Sequence, residues 1–171
     1  MDLANRFGLL ILVASCPLAA CHQTYEPRSD LRMADPAVSS QLLDGFYRIE
    51  ENSWRWAARN FSVALKPPAG AAERGGRLRV RLYLSADELQ KLGPLTLTGT
   101  IDGKSIGNRT FNSAGTFDFT WNLAPETLDT NILPVQFCFD KAMTPADDKR
   151  ELAAVMLGIA ILPGQAPGQA Q

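Results

Sequence analysis

The sequence predicts an all-β protein, a two-sheet β-sandwich of jelly-roll type with one short helical turn. Three observations predict it. Apolar residues alternate with polar ones in several short runs, residues that favour turns join the runs, and only one segment carries a helix start signal. Alternation with a period of two gives a strand one buried face, and several such strands bury those faces by packing as two layers.

Phe61, Val63 and Leu65 alternate with Ser62, Ala64 and Lys66, and Pro67-Pro68 ends that run. Leu78, Val80, Leu82 and Leu84 then alternate with Arg77, Arg79, Arg81 and Tyr83. Ser85 and Glu88 stand three apart as a capping box, which predicts a helical turn over residues 86–92. Leu95, Leu97, Gly99 and Ile101 alternate with three threonines, and Asp102-Gly103 turns the chain into a hairpin. Phe117, Phe119 and Trp121 repeat the pattern, as do Val135, Phe137 and Phe139. Residues 152–162 are apolar on both faces. Their length, bounded by a charged loop and Pro163, and their content of Val155, Ile159 and Ile161 predict a central strand.

The N-terminus has a different character. Arg6 precedes a short apolar run from Phe7 to Ala14, too short for a helix that spans a bilayer and suited to a signal peptide. Leu18-Ala19-Ala20-Cys21 resembles the lipobox of bacterial lipoproteins, and Val13-Ala14-Ser15-Cys16 is a competing match with Pro17 directly behind it. The resemblance implies cleavage before Cys21 and lipid on its thiol, an anchor strengthened by about 0.8 kcal/mol for each buried CH₂. With no Asp after the cysteine, the family's sorting pattern implies the periplasmic face of the outer membrane. The expected organisation is a signal peptide over 1–20, a lipidated N-terminus and flexible tether over 21–41, the sandwich over 42–162 and a disordered tail over 163–171. A flexible tether of about 20 residues would reach roughly 25 Å.

Composition narrows the chemistry. A net charge of −1 gives no reason to expect nucleic acid as a partner. His22 is the only histidine and lies beside the expected anchor, so the folded part has no imidazole for a catalytic base or a metal. Gly103-Lys104-Ser105-Ile106-Gly107 matches the nucleophile elbow of hydrolases, but it falls in a hairpin and has no histidine partner. Glu50 and Glu51 are neighbours and point to opposite sides of an extended chain. Asp147 and Asp148 are too few for a calcium site. No catalytic residue, metal or cofactor is expected. Cys138 is left alone once Cys16 and Cys21 are accounted for, and its position between Phe137 and Phe139 predicts a buried, inert thiol.

Two clusters remain as candidate ligand-binding residues. Trp54 and Trp56 share a face if extended, where two parallel indoles would stack on sugar rings; alternatively they close the core. Arg77, Arg79 and Arg81 form a column on the polar side of one strand. It is either a solvated face balanced by acids on the next strand or a site for anionic envelope polymers.

The motifs Gly45-Phe46-Tyr47, Glu50, Trp54-Arg55-Trp56, Leu78-Arg79-Val80, Leu92-Gly93-Pro94, Asp102-Gly103 and Arg150-Glu151-Leu152 resemble a jelly-roll module of bacterial envelope proteins. Such modules occur alone behind lipoboxes and attached to glycosyltransferases, and their outline is similar to carbohydrate-binding sandwiches. The resemblance implies no catalytic or ligand residue. Its functional expectation is a membrane-anchored, non-enzymatic module for an envelope polysaccharide or an envelope protein. A structural subunit of an envelope assembly and an enzyme of unrecognised type are the alternatives.

Overall fold

The computed structural model describes residues 26–164. The signal peptide, Cys21, residues 22–25 of the expected tether and residues 165–171 of the expected tail lie outside the described residues. The strands are β1 (Asp30–Arg32), β2 (Leu42–Glu50), β3 (Trp54–Leu65), β4 (Gly76–Leu84), β5 (Leu95–Ile101), β6 (Lys104–Phe111), β7 (Gly115–Leu123), β8 (Leu133–Phe139) and β9 (Ala154–Pro163). Two short helices join them, α1 (Ala71–Arg74) and α2 (Ala86–Leu92). The all-β, jelly-roll-like class read from the alternation is the class observed.

The two layers are hydrogen-bonded into one continuous sheet, in the order β6-β5-β8-β3-β9-β4-β7. The joint is β3. Its first part, Arg55 to Ala57, pairs with β9, and its last part, Asn60 to Leu65, pairs with β8. β2 accompanies it along both parts, with register shifts around Gly45. That glycine has φ +72°, and a Cβ there would lie 2.0 Å from the Asn60 carbonyl oxygen, so only glycine fits the bulge. The bulges break the alternation of β2, and this is why the sequence did not show it as a strand.

The layers meet through the inward residues that the alternation marked. Phe61 stacks on Phe137 with centroids 4.9 Å apart, and Trp121 from the opposite layer lies 6.4 Å from Phe137. Gly99 and Gly107 make room for Trp121: a Cβ at either would approach its indole to 2.6 Å. Leu78, Val80, Leu82, Leu84, Leu95, Leu97, Val135 and Phe139 are all fully buried. The helix α2 forms its capping box, with Ser85 accepting from the Glu88 amide and Glu88 accepting from the Ser85 amide. Glu88 is itself buried, and desolvation raises its pKa above the ordinary carboxylate value.

The expected tether is the main correction. From residue 26 onward it belongs to the fold. β1 pairs with β9, a 3-10 helix follows over Pro36–Gln41 with Asp35 as its N-cap, and Leu31, Met33 and Val38 are completely buried. The physical reason is Arg55, which points inward from β3 and is only 8% exposed. Its guanidinium donates to the Met33 and Tyr47 carbonyls and to the Ser39 hydroxyl, which pins this segment down. The C-terminal run behaves as expected: β9 has β4 on one edge and β3 followed by β1 on the other.

A chain truncated to begin at Gln41 therefore lacks three core side chains, each worth about 1.5–3 kcal/mol when buried. Thermal melts should show it far less stable than a chain that begins at Glu26. Equal melting temperatures would contradict the packing of residues 26–40.

Candidate functional site

The face of β9 turned away from the core is open, and register arranges what stands on it. Trp56 of β3 and Tyr83 of β4 both pair with Val155, which puts the three in one row across the sheet. Arg32 of β1 and Arg81 of β4 both pair with Gly158, and Asp30 and Arg79 both pair with Ala160. The first row is aromatic and the next two are charged. A register shift between Arg81 and Leu82 sets Leu157 between the aromatic and the first charged row. Gly158 and Ala160 bring almost no side chain to the middle of the charged rows. A groove of about 270 Å³ results, floored by Gly158 and Ala160 and walled by Asp30 and Arg32 on one side and Arg79 and Arg81 on the other.

The sequence candidates fall on this face, with changes. Trp54 and Trp56 do share a face, outward and half-buried, and neither belongs to the core cluster. Their indoles are not parallel. The rings meet edge to face at 89° with centroids 5.7 Å apart, so the expected two-ring flat platform is not formed. Tyr83, which is 40% exposed, stands in the same row as Trp56.

Arg79 and Arg81 wall the groove, while Arg77 pairs with Leu162 one step further along and stands outside it. The acid expected on the neighbouring strand is Asp118 of β7. Arg79 donates to it from Nε at 2.7 Å and from its terminal nitrogen to the other carboxylate oxygen. This bidentate pair holds the Asp118 carboxyl below the usual carboxylate range, chiefly through the hydrogen bond from Arg79. As an exposed, solvent-screened pair it adds little to stability. Sequence reasoning missed Arg32, Asp30 and Gly158. Asp30-Leu31-Arg32-Met33 does alternate, but the run is too short to stand out from a polar segment.

No family model and no curated protein sequence matches the chain. Among solved structures, a Clostridium perfringens ZmpB fragment described as CBM51-2 in complex with GlcNAc and INT domains aligns with a TM-score of 0.39 and 9% identity. The alignment covers 82% of this chain and 28% of that one. The ZmpB M60 catalytic domain with CBM51-1 and CBM51-2 aligns with a TM-score of 0.38 and 9% identity, over 82% of this chain and 16% of that chain. This chain thus spans well under a third of those proteins, and nothing about its own ligand follows from a likeness at that level.

Of the motifs that carried the sequence resemblance, Tyr47, Glu50 and Arg150-Glu151 come together away from the groove, at the end of the fold where β2 turns into β3. Arg150 donates to Glu50 at 2.6 Å and to Asp148 at 2.7 Å, and its guanidinium lies 5.2 Å from the Tyr47 ring centroid. Tyr47 in turn exchanges hydrogen bonds with the backbone of Glu151. These contacts clamp the charged loop onto the β2–β3 hairpin. Asp148 gives both oxygens to Arg150 and is held below its ordinary pKa by those hydrogen bonds, so it is committed to structure. Gly103 to Gly107 lies in the turn and β6, as the hairpin reading required.

Cys138 is the second correction. It is exposed, because the alternation of β8 turns Phe137 and Phe139 inward and Cys138 outward beside Asn60 and Thr98. Large apolar neighbours in sequence are opposite-facing neighbours on a strand. A maleimide should therefore label the folded protein, with labelling lost in Cys138→Ala. Labelling that required denaturant would overturn this placement.

Proposed function

We propose that the protein is a lipid-anchored, non-catalytic binding module of the bacterial cell envelope, and that its ligand is a glycan held on the open face of β9. The observation that carries the reading is the row Trp56–Val155–Tyr83 beside a side-chain-poor groove on one uncovered sheet face. An aromatic row offers flat apolar surface to sugar rings, and the groove beside it offers hydrogen-bond donors to hydroxyl and acidic groups.

The lipobox-like Leu18-Ala19-Ala20-Cys21 supports the anchor, and the fold changes what such an anchor would do. Only four residues separate Cys21 from Glu26, so the chain between lipid and domain extends at most about 18 Å. The domain would then sit close to the bilayer in place of swinging on a long tether. The chain enters where Ser29 accepts from the Ile161 amide. Val155 lies six residues back along β9, about 20 Å further from the anchor. The aromatic row would thus be presented away from the lipid.

The alternative of an assembly subunit finds support in β6 and β7, each paired on one side only among the described residues. Against it stands Arg109, an inward-register residue of β6 whose guanidinium lies 4.8 Å from the Phe119 ring centroid. A charge on the inner face of an edge strand is a device against strand addition.

Cys21→Ser should abolish fatty-acid labelling and membrane fractionation, and unchanged attachment would remove the anchor. Trp56→Ala and Tyr83→Ala should weaken retention on an envelope polysaccharide while lowering stability by well under the roughly 3–5 kcal/mol that a core aromatic costs. Full retention by both variants would exclude this face as the binding surface.

A further inference from the structure

We infer that Arg32, Gly158 and Arg81 form a grip for an acidic group, a carboxylate or phosphate, carried by the polymer, so that the ligand class is an acidic polysaccharide. This deepens the glycan reading and rests on it. Arg32 and Arg81 flank Gly158 from its two sides in one register row, on strands two spacings, about 10 Å, apart. Both long side chains line the groove whose floor at Gly158 has no side chain. An anion resting above Gly158 is within reach of both guanidiniums.

Each of the two arginines has an acid in ion-pair range but no hydrogen bond to it. Nε of Arg32 is 3.8 Å from Asp30 and Nε of Arg81 is 3.6 Å from Asp118, both beyond hydrogen-bond range. Asp118 gives its two oxygens to Arg79, and so the nearest acid is engaged with the third arginine. The side chains of Arg32 and Arg81 are 82% and 49% exposed, and a guanidinium carries more donors than one ion pair uses. The groove is lined by three arginines against Asp30, with Asp118 paired to Arg79 beside it, in a protein whose net charge is −1. Its excess positive charge is therefore local. The next row along the sheet, Trp56–Val155–Tyr83, lies close enough for adjoining units of one chain to contact both.

The test uses the full-length protein in detergent with two polymers of one backbone, polygalacturonate and its methyl ester, and with inorganic phosphate. The expected result is retention on polygalacturonate that falls as salt rises and drops roughly tenfold or more in Arg32→Gln and in Arg81→Gln. Arg77→Gln, the same charge change outside the groove, should leave it within about twofold, and all three variants should melt like the parent. Equal binding of acid and ester, with loss in Trp56→Ala, would overturn the grip and leave the glycan reading standing. Loss in Arg77→Gln as large as in the other two would also overturn it, because general charge would then explain the binding. Inorganic phosphate bound as tightly as the polymer would assign the grip to a small free anion and overturn the polymer assignment. Binding to neither polymer would overturn the grip together with the glycan reading.

Discussion

A strand that belongs to two layers at once governs this molecule. β3 pairs with β9 near its start and with β8 near its end, so the sheet folds over on itself at that strand and the two layers are fixed relative to each other by backbone hydrogen bonds as well as by packing. Its inward side chains change role along the way. Phe61, Val63 and Leu65 enter the shared core, whereas Arg55 sits at an inward position near the start and must find hydrogen-bond acceptors there. It finds them in Met33, Tyr47 and Ser39. A buried cation without a nearby carboxylate is costly unless its donors are satisfied, and satisfying them recruits the segment before the sandwich into the fold.

That recruitment creates the candidate site. Without the pinned segment, β1 would not lie against β9, and Arg32 would have no defined place opposite Arg81. The groove thus depends on the docking of this segment, to which buried Arg55, the β1–β9 ladder and the buried Leu31, Met33 and Val38 all contribute, and Gly158 and Ala160 keep its floor free of large side chains. The same recruitment shortens the link to the proposed anchor.

Several of the motif residues serve folding. Tyr47, Glu50, Arg150 and Glu151 form the clamp at one end, Gly45 permits a bulge, and Gly93 ends α2 with φ +72°. Residues that tolerate no substitution for backbone reasons produce recognisable sequence patterns, while residues on an open face can vary with the ligand.

The strands with regular alternation, their inward faces, the capping box of α2 and the Asp102-Gly103 turn were legible in the sequence, because each is a local rule written in consecutive residues. The central position of β9 was legible too, from apolar residues on both faces. Three features were not. β2 hides its alternation behind bulges, residues 26–41 have the polar, proline-containing character of a tether because their partners lie far away in the chain, and the apolar neighbours of Cys138 in sequence do not give its side of the strand. The candidate site divides in the same way. Trp54, Trp56, Arg79 and Arg81 could be named from spacing, but the angle between the indoles, the exclusion of Arg77 and the addition of Arg32 across Gly158 depend on register between strands distant in sequence. Spacing determines which residues share a strand face; only tertiary pairing decides which strands, and so which side chains, stand next to one another.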